Sequence, residues 1–252
     1  MKKRKGIRHY LTDKFLASGP SPICVVKTNE SAVLELDQII TDLKSRTKFH
    51  LPIFVHGPIG SGKTLLIDKV AESLRNKDQN LQVTKMSSME FMNRFLKSIQ
   101  SRSFSKLESE ILQSDALLID DFSFFKNYDR AQDAIARMIE GMMRLGKLVI
   151  LSSSDVTKER YSPNLCQLLN KSKILAIHSF GRNKKTIQTL MSIEARKNSL
   201  KITQTGLKQL ATKTKASSPR EVAGLMMRIS VADQALRGCG VKINWARAFT
   251  AR

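Results

Sequence analysis

Residues 57–64 read Gly57-Pro58-Ile59-Gly60-Ser61-Gly62-Lys63-Thr64, and this stretch decides the fold. It has the form G-x-x-x-x-G-K-[ST]. A short apolar run, Ile53 to His56, precedes it, and a helical pattern, Lys63 to Arg75, follows it. Strand, glycine-rich turn and helix in that order make a phosphate-binding loop, or P-loop. The glycines let the backbone wrap a phosphate and turn its N–H groups inward. Lys63 brings a positive charge to the β- and γ-phosphates of a nucleotide, and the Thr64 hydroxyl is placed for Mg²⁺. The nucleotide-binding set at this loop is Gly57, Gly60, Ser61, Gly62, Lys63, Thr64 and Leu65.

Outward from the loop, short apolar runs alternate with helical patterns, as in a parallel sheet with crossover helices. The helix after the loop carries Leu66, Ile67, Val70, Ala71 and Leu74 on one face. Leu81 to Lys85 reads as a second strand. Met89 to Ile99 reads as a helix with Met92, Phe95, Leu96 and Ile99 at helical spacing. Ala116 to Ile119 is wholly apolar and therefore a central strand. Ala131 to Leu145 is an amphipathic helix through Ile135, Met138, Ile139 and Met142; Leu148 to Leu151 and Ile174 to Ile177 are two more strands. After His178 the strands stop. Lys184 to Lys197 and Thr205 to Lys213 are helical. A third helix starts at Ser218 with Pro219 in first position and Glu221 closing a capping box, and runs to about Leu236 before Gly238-Cys239-Gly240. Trp245 to Ala251 reads as a last short helix. The fold class is α/β, a P-loop NTPase with a five-stranded parallel sheet flanked by helices, followed by a small α-helical domain. The expected divisions are a basic segment 1–21, a nucleotide-binding domain 22–178 and a helical domain 179–252.

Three further stretches carry chemistry. Leu117-Leu118-Ile119-Asp120-Asp121 ends a central strand in two acids, 57 residues after Lys63. Asp120 belongs where a carboxylate holds Mg²⁺, and Asp121 where one polarises the attacking water. Leu148 to Leu151 is followed by Ser152-Ser153-Ser154-Asp155, small polar residues that could reach the γ-phosphate or simply end a strand. Arg220 sits in the first turn of its helix, where the dipole disfavours a cation; reaching a phosphate is one reason for it, a solvated surface the other.

The formal charge is +21, and it is concentrated at the ends: residues 1–30 hold seven Lys/Arg against two Asp/Glu, and residues 178–252 hold 15 against three. Such a chain attracts polyanions, of which nucleic acid is the commonest in a cytosol; a solvated lysine-rich surface is the alternative. Cys24, Cys166 and Cys239 are far apart and form no CxxC pair, which argues against a zinc site or a disulfide framework. No apolar run approaches the roughly 20 residues of a membrane helix. The basic start, Met1 to Leu16, lacks the apolar stretch of a secretory signal, although an organelle transit peptide stays open. The expected setting is the cytoplasm, beside the nucleoid, with no membrane partner.

Taken in order, Ser87-Ser88-Met89-Glu90-Phe91-Met92-Asn93, Leu117 to Phe124, Gly146 to Ser153 and Ser218 to Gly224 resemble the DnaA/Hda family of AAA+ ATPases over about residues 22–250. The resemblance implies an AAA+ fold with a helical lid that binds ATP or ADP with Mg²⁺. It implies a sensor 1 residue at Asp155, or at Ser154 if the extra serine shifts the register, and a sensor 2 residue at Arg220. It places Val26 and Asn29 against the adenine, and Arg94, Lys97, Arg102 and Lys106 where that family contacts single-stranded DNA. The implied partners are the DnaA initiator or the sliding clamp, with single-stranded or duplex DNA contact and a nucleotide-dependent oligomer. Two departures stand out. The 252 residues leave no helix-turn-helix domain after the lid, an Hda-like length. Where the family carries an arginine finger the chain reads Asn164-Leu165-Cys166-Gln167-Leu168-Leu169-Asn170-Lys171, with Leu168 near the Arg position and Lys171 the nearest cation. Its own ATPase activity is expected to be weak because its site would depend on a neighbour's finger, and the missing finger argues against Hda-like activation of a partner. A DnaC-type helicase loader acting on the replicative helicase, and a non-hydrolysing adaptor that inhibits the initiator, are the alternatives.

Overall fold

The central strands are apolar on both faces. In β1 (Ile53–His56), Ile53 and Val55 join one apolar cluster and Phe54 another. In β3 (Ala116–Asp120), Ala116 and Leu118 go with the first, Leu117 and Ile119 with the second. β4 (Leu148–Ser153) divides Leu148 and Ile150 from Val149 and Leu151 in the same way. Successive side chains point to opposite faces, so such strands need cover on both sides. The computed structural model, which describes residues 29–44, 48–154, 161–179, 181 and 183–238, has that arrangement.

With β2 (Val83–Ser87) and β5 (Lys173–Ala176) the sheet has five strands in the order β2-β3-β4-β1-β5, every neighbouring pair parallel. Helices α1 (Glu30–Lys44) and α2 (Lys63–Lys77) cover one face through Val33, Leu36, Ile40, Ile67, Val70 and Leu74. The other face lies under α3 (Ser88–Gln100), α4 (Phe104–Gln113), α5 (Asp129–Arg144) and α6 (Pro163–Lys171). A 3₁₀ helix, Phe122–Asn127, drops Phe122 and Phe125 into this second core. There the Phe91 and Phe125 rings meet edge to face at 5.5 Å, an arrangement aromatic pairs prefer.

The five-stranded parallel sheet is as expected, with differences in detail. The second strand runs two residues later than Leu81 to Lys85. β2 is an edge strand with only Met86 fully inward, so its apolar signal is weak, and Leu81 belongs to a turn closed on Asp78 O. The apolar face of α3 is also rotated. Phe91, Met92 and Phe95 are buried, whereas Leu96 and Ile99 are 50% and 52% exposed. Helices α1, α4 and α6 are not among the expected elements, although Ala32, Val33, Leu36, Ile39 and Ile40 recur at helical spacing. Val26, Asp155, Cys24, Cys239, the segment 1–21 and the helix Trp245 to Ala251 lie outside the described residues.

The chain divides into two compact units, Met1–Ile59 with Lys63–Ile177, and Gly60–Gly62 with His178–Arg252. The second holds α7 (Lys184–Lys197), α8 (Gln204–Lys213) and α9 (Pro219–Gly238) around Ile187, Met191, Leu207, Leu210, Val222 and Met226. Each helix is capped by a side-chain oxygen: Asn183 Oδ1 accepts from Thr186 N, Thr203 Oγ1 from Gly206 N and Ser218 Oγ from Glu221 N. The Glu221 carboxylate reaches one residue further back than in a standard capping box and accepts Ser217 N–H at 3.0 Å. That backbone bond, followed by the one from the Ser218 hydroxyl, lowers the Glu221 pKa from its ordinary value.

Candidate functional site

The carboxyl ends of β3, β4 and β1 lie side by side, and there the chemistry-bearing residues gather. In register, Ile119 faces Leu151, Val55 faces Ser152 and His56 faces Ser153. Gly57 N donates to Ser153 O at 3.3 Å, so the P-loop leaves the sheet anchored to the neighbouring strand. In open parallel sheets this edge is where ligands bind.

Gly60 and Gly62 have φ of 78° and 99°, a region that a Cβ makes costly. A Cβ on Gly62 would meet nothing within 4 Å, so the requirement for glycine there comes from the backbone and not from crowding. Lys63 is only 9% exposed, and its Nζ donates to Gly57 O at 2.7 Å and Pro58 O at 3.0 Å, which folds the ammonium over its own loop. Ser61 Oγ is buried without a hydrogen-bond partner among the described residues. Thr64 and Leu65 are exposed in the first turn of α2, and that turn contains no acid to offset the helix dipole. A phosphate fits this donor set: a helix N-terminus, an ammonium and a hydroxyl that has no acceptor. Among the described residues no group of three or more His, Cys, Asp or Glu could hold a metal. Thr64 and Asp120 offer one hydroxyl and one carboxylate, the sparse protein share usual for Mg²⁺ bound through phosphates.

The acidic pair ends β3. Asp120 is half-buried and Asp121 exposed. Asp121 turns the chain with φ 56° and ψ 50°, a left-handed conformation uncommon outside glycine. Hydroxyls surround this turn. Ser88 Oγ donates to Asp120 O at 3.2 Å, Ser123 Oγ to Asp121 Oδ1 at 2.9 Å and Tyr161 Oη to Phe122 O at 3.3 Å. Ser152 Oγ donates to Asp120 Oδ1 and accepts Asp121 N–H.

The sheet thus brings Gly57, Lys63, Thr64, Asp120 and Asp121 to one end. Asn29 precedes α1 and accepts Val33 N–H through its carbonyl. Arg220 is exposed in the first turn of α9, within the second unit. Leu168 is 3% exposed and packs in the second core, so a cation there would be buried, not presented to a neighbour. The outward residues of α6 are Pro163, Asn164, Gln167, Asn170 and Lys171. Of the four basic residues expected to face nucleic acid, Lys97, Arg102 and Lys106 are exposed, while Arg94 pairs with Glu110 at 2.6 Å and ties α3 to α4. The sequence assigns no role of their own to Ser88, Ser123 and Tyr161, and takes Ser152 only as one of four small polar residues that end a strand. The one signal for Ser152 is a hydroxyl directly after four apolar strand residues.

A family model described as the bacterial DnaA ATPase domain matches residues 24–175. Among solved structures, the chain is similar to domain III of the replication initiation protein DnaA from Thermotoga maritima, with TM-score 0.78 and 17% identity over 90% of this chain and 92% of that one. It is similar to the replication initiator DnaA bound to AMPPCP and single-stranded DNA, with TM-score 0.72 and 20% identity over 92% of this chain and 69% of that one. It is similar to AMPPCP-bound DnaA from Aquifex aeolicus, with TM-score 0.71 and 20% identity over 87% of this chain and 65% of that one. At these identities the likeness is one of fold. No helix among the described residues is long and apolar enough to cross a membrane.

Proposed function

The chain belongs to the family of bacterial DnaA ATPase domains, and from that premise we propose that it binds ATP or ADP with Mg²⁺ at the P-loop and acts in chromosomal replication initiation or its regulation. The observation that carries this reading is the donor set at 57–64, with Lys63 over the loop and Ser61 Oγ lacking an acceptor, beside Asp120 and Asp121 at the same sheet end. Two structural neighbours hold AMPPCP, which supports an adenine nucleotide. One of them also holds single-stranded DNA, which supports DNA binding through Lys97, Arg102 and Lys106.

In this reading the N–H groups from Gly60 to Thr64 hold the phosphates, and Lys63 moves from the loop carbonyls to the β- and γ-oxygens. Thr64 and Asp120 would hold the cation, which would supply positive charge to the phosphates. Asp121 orients or polarises the attacking water. Asp155, or Ser154, and Arg220 sense the γ-phosphate, Val26 and Asn29 line the adenine, and residues 179–252 act as the lid of domain 22–178. The protein works in the cytoplasm, at the nucleoid.

The decisive experiment is co-precipitation of the full-length DnaA initiator, with ATP and with ADP, while hydrolysis of initiator-bound ATP is followed. Nucleotide-dependent binding with faster hydrolysis identifies an Hda-like regulator, whereas absence of binding refutes a role at the initiator and leaves the helicase loader. A second reading, an adaptor that binds the initiator and blocks it without hydrolysis, is favoured by α6. Its outward residues include no arginine, and a finger supplied to a neighbour is worth about 10³–10⁵ in rate. Binding that leaves the initiator's nucleotide intact is the result it requires.

A further inference from the structure

Ser152 is the fifth residue of a strand whose first four, Leu148 to Leu151, are fully buried and apolar, and it is itself 0% exposed. A hydroxyl in such a place is disfavoured unless both its donor and its acceptor capacity are used. Both are. The proton goes to Asp120 Oδ1, and the oxygen accepts the Asp121 amide at 3.3 Å. These are the two acids on which the proposed chemistry depends, and they flank the left-handed turn at Asp121. The second carboxylate oxygen, Asp120 Oδ2, has no hydrogen-bond partner among the described residues.

We propose that Ser152 is the positioning residue of the acidic pair: its hydroxyl holds Oδ1 of Asp120, so that Oδ2 is the oxygen presented to the cation accompanying the nucleotide, and it fixes the Asp121 amide in the turn that sets the second carboxylate. The inference rests on the nucleotide-binding reading above and assigns the orientation of its carboxylates to β4, a strand to which that reading gives no role. Groups that orient a metal-binding carboxylate typically contribute about 10–100-fold to metal affinity. Ser152 should therefore act on the Mg²⁺-dependent part of nucleotide affinity and spare the part that comes from the loop and Lys63.

Calorimetry with AMPPCP, in Mg²⁺ and again in EDTA, separates the two parts. Ser152→Ala should leave the EDTA affinity within about twofold of wild type and reduce the gain from Mg²⁺ by about tenfold or more. Ser152→Thr, which keeps the hydroxyl, should retain the gain. Ser152→Cys fills the volume with a poor donor, should behave like Ala, and serves if the alanine variant does not fold. An unchanged Mg²⁺ gain in Ser152→Ala or Ser152→Cys overturns the proposal, as does an equal loss of affinity in Mg²⁺ and in EDTA, the mark of a purely structural role. A wild-type chain that binds AMPPCP in neither condition overturns the nucleotide-binding reading and this one with it. Binding of the wild type equally in both overturns this one alone.

Discussion

Replacing Asp121 by Asn, Ala and Gly separates what its backbone needs from what its carboxylate does. At φ 56° and ψ 50° an L-residue is disfavoured by about 1–2 kcal/mol unless its side chain bonds locally. Asp121 does so, accepting from Ser123 Oγ at 2.9 Å. Asn keeps an acceptor oxygen and is itself tolerant of this conformation, so its stability should match wild type within about 0.5 kcal/mol. Ala loses that hydrogen bond, about 0.5–1.5 kcal/mol, and keeps the Cβ. Gly loses the bond as well but escapes the left-handed penalty, and gives back about 0.5–1 kcal/mol through its floppier unfolded chain. The Gly variant should therefore be more stable than the Ala variant by about 0.5–1 kcal/mol, or about 1–4 °C in Tm, the reverse of the usual order in strands and helices. Thermal unfolding of the three proteins, followed by circular dichroism, reads this directly. ATP turnover in the Asn variant should fall while nucleotide affinity stays. An Ala variant that melts at or above the Gly variant would refute the backbone reasoning, and an Asn variant with full turnover would remove Asp121 from the chemistry.

Other consequences can be checked independently. Phe91→Ala, at a fully buried ring between α3 and the 3₁₀ helix, should lower unfolding free energy by about 3–5 kcal/mol in urea denaturation, with less than about 1 kcal/mol indicating that the site collapses. Because hydrogen bonds lower the Glu221 pKa, the stability they add is present above the ordinary glutamate value of about 4.3 and is lost as the pH falls through the lower folded value. The Tm gap between wild type and Glu221→Gln should accordingly close toward strong acid; a gap that does not change with pH would contradict this. Affinity for single-stranded DNA should fall steeply with salt, and Lys97→Ala or Lys106→Ala, each removing one cation from a phosphate, should make the log–log slope shallower by about 0.7; a salt-insensitive affinity would return these residues to a solvated surface.

How much of this is legible in the sequence differs from part to part, for physical reasons. The P-loop is legible because glycine at 60 and 62 answers a backbone demand that few other residues meet. The inner strands are legible because burial on both faces leaves no polar residue in Ala116 to Ile119 or Leu148 to Leu151. β2 is less so, since an edge strand paired only with β3 turns few apolar side chains inward, Met86 fully and Val83 in part. Helix α3 misleads because it carries more apolar residues than the core takes. Leu96 and Ile99 read as a buried stripe but face outward, while Ser98 is buried and satisfies itself on Phe95 O. In α6, helical phase turns Leu168 into the core and leaves Gln167 and Lys171 outside, which motif order alone does not reveal. Of the hydroxyls on the acidic turn, Ser123 is local, whereas Ser88 of α3, Ser152 of β4 and Tyr161 are distant in sequence and meet only when the sheet has formed.

The central claim, that residues 57–64 bind a nucleotide through Lys63, is tested most directly by calorimetric titration of ATP and ADP into the wild type and Lys63→Ala, with circular dichroism to establish that both are folded. The account predicts saturable one-site binding to the wild type and loss of it in the variant. Equal affinity in the two folded proteins would contradict it.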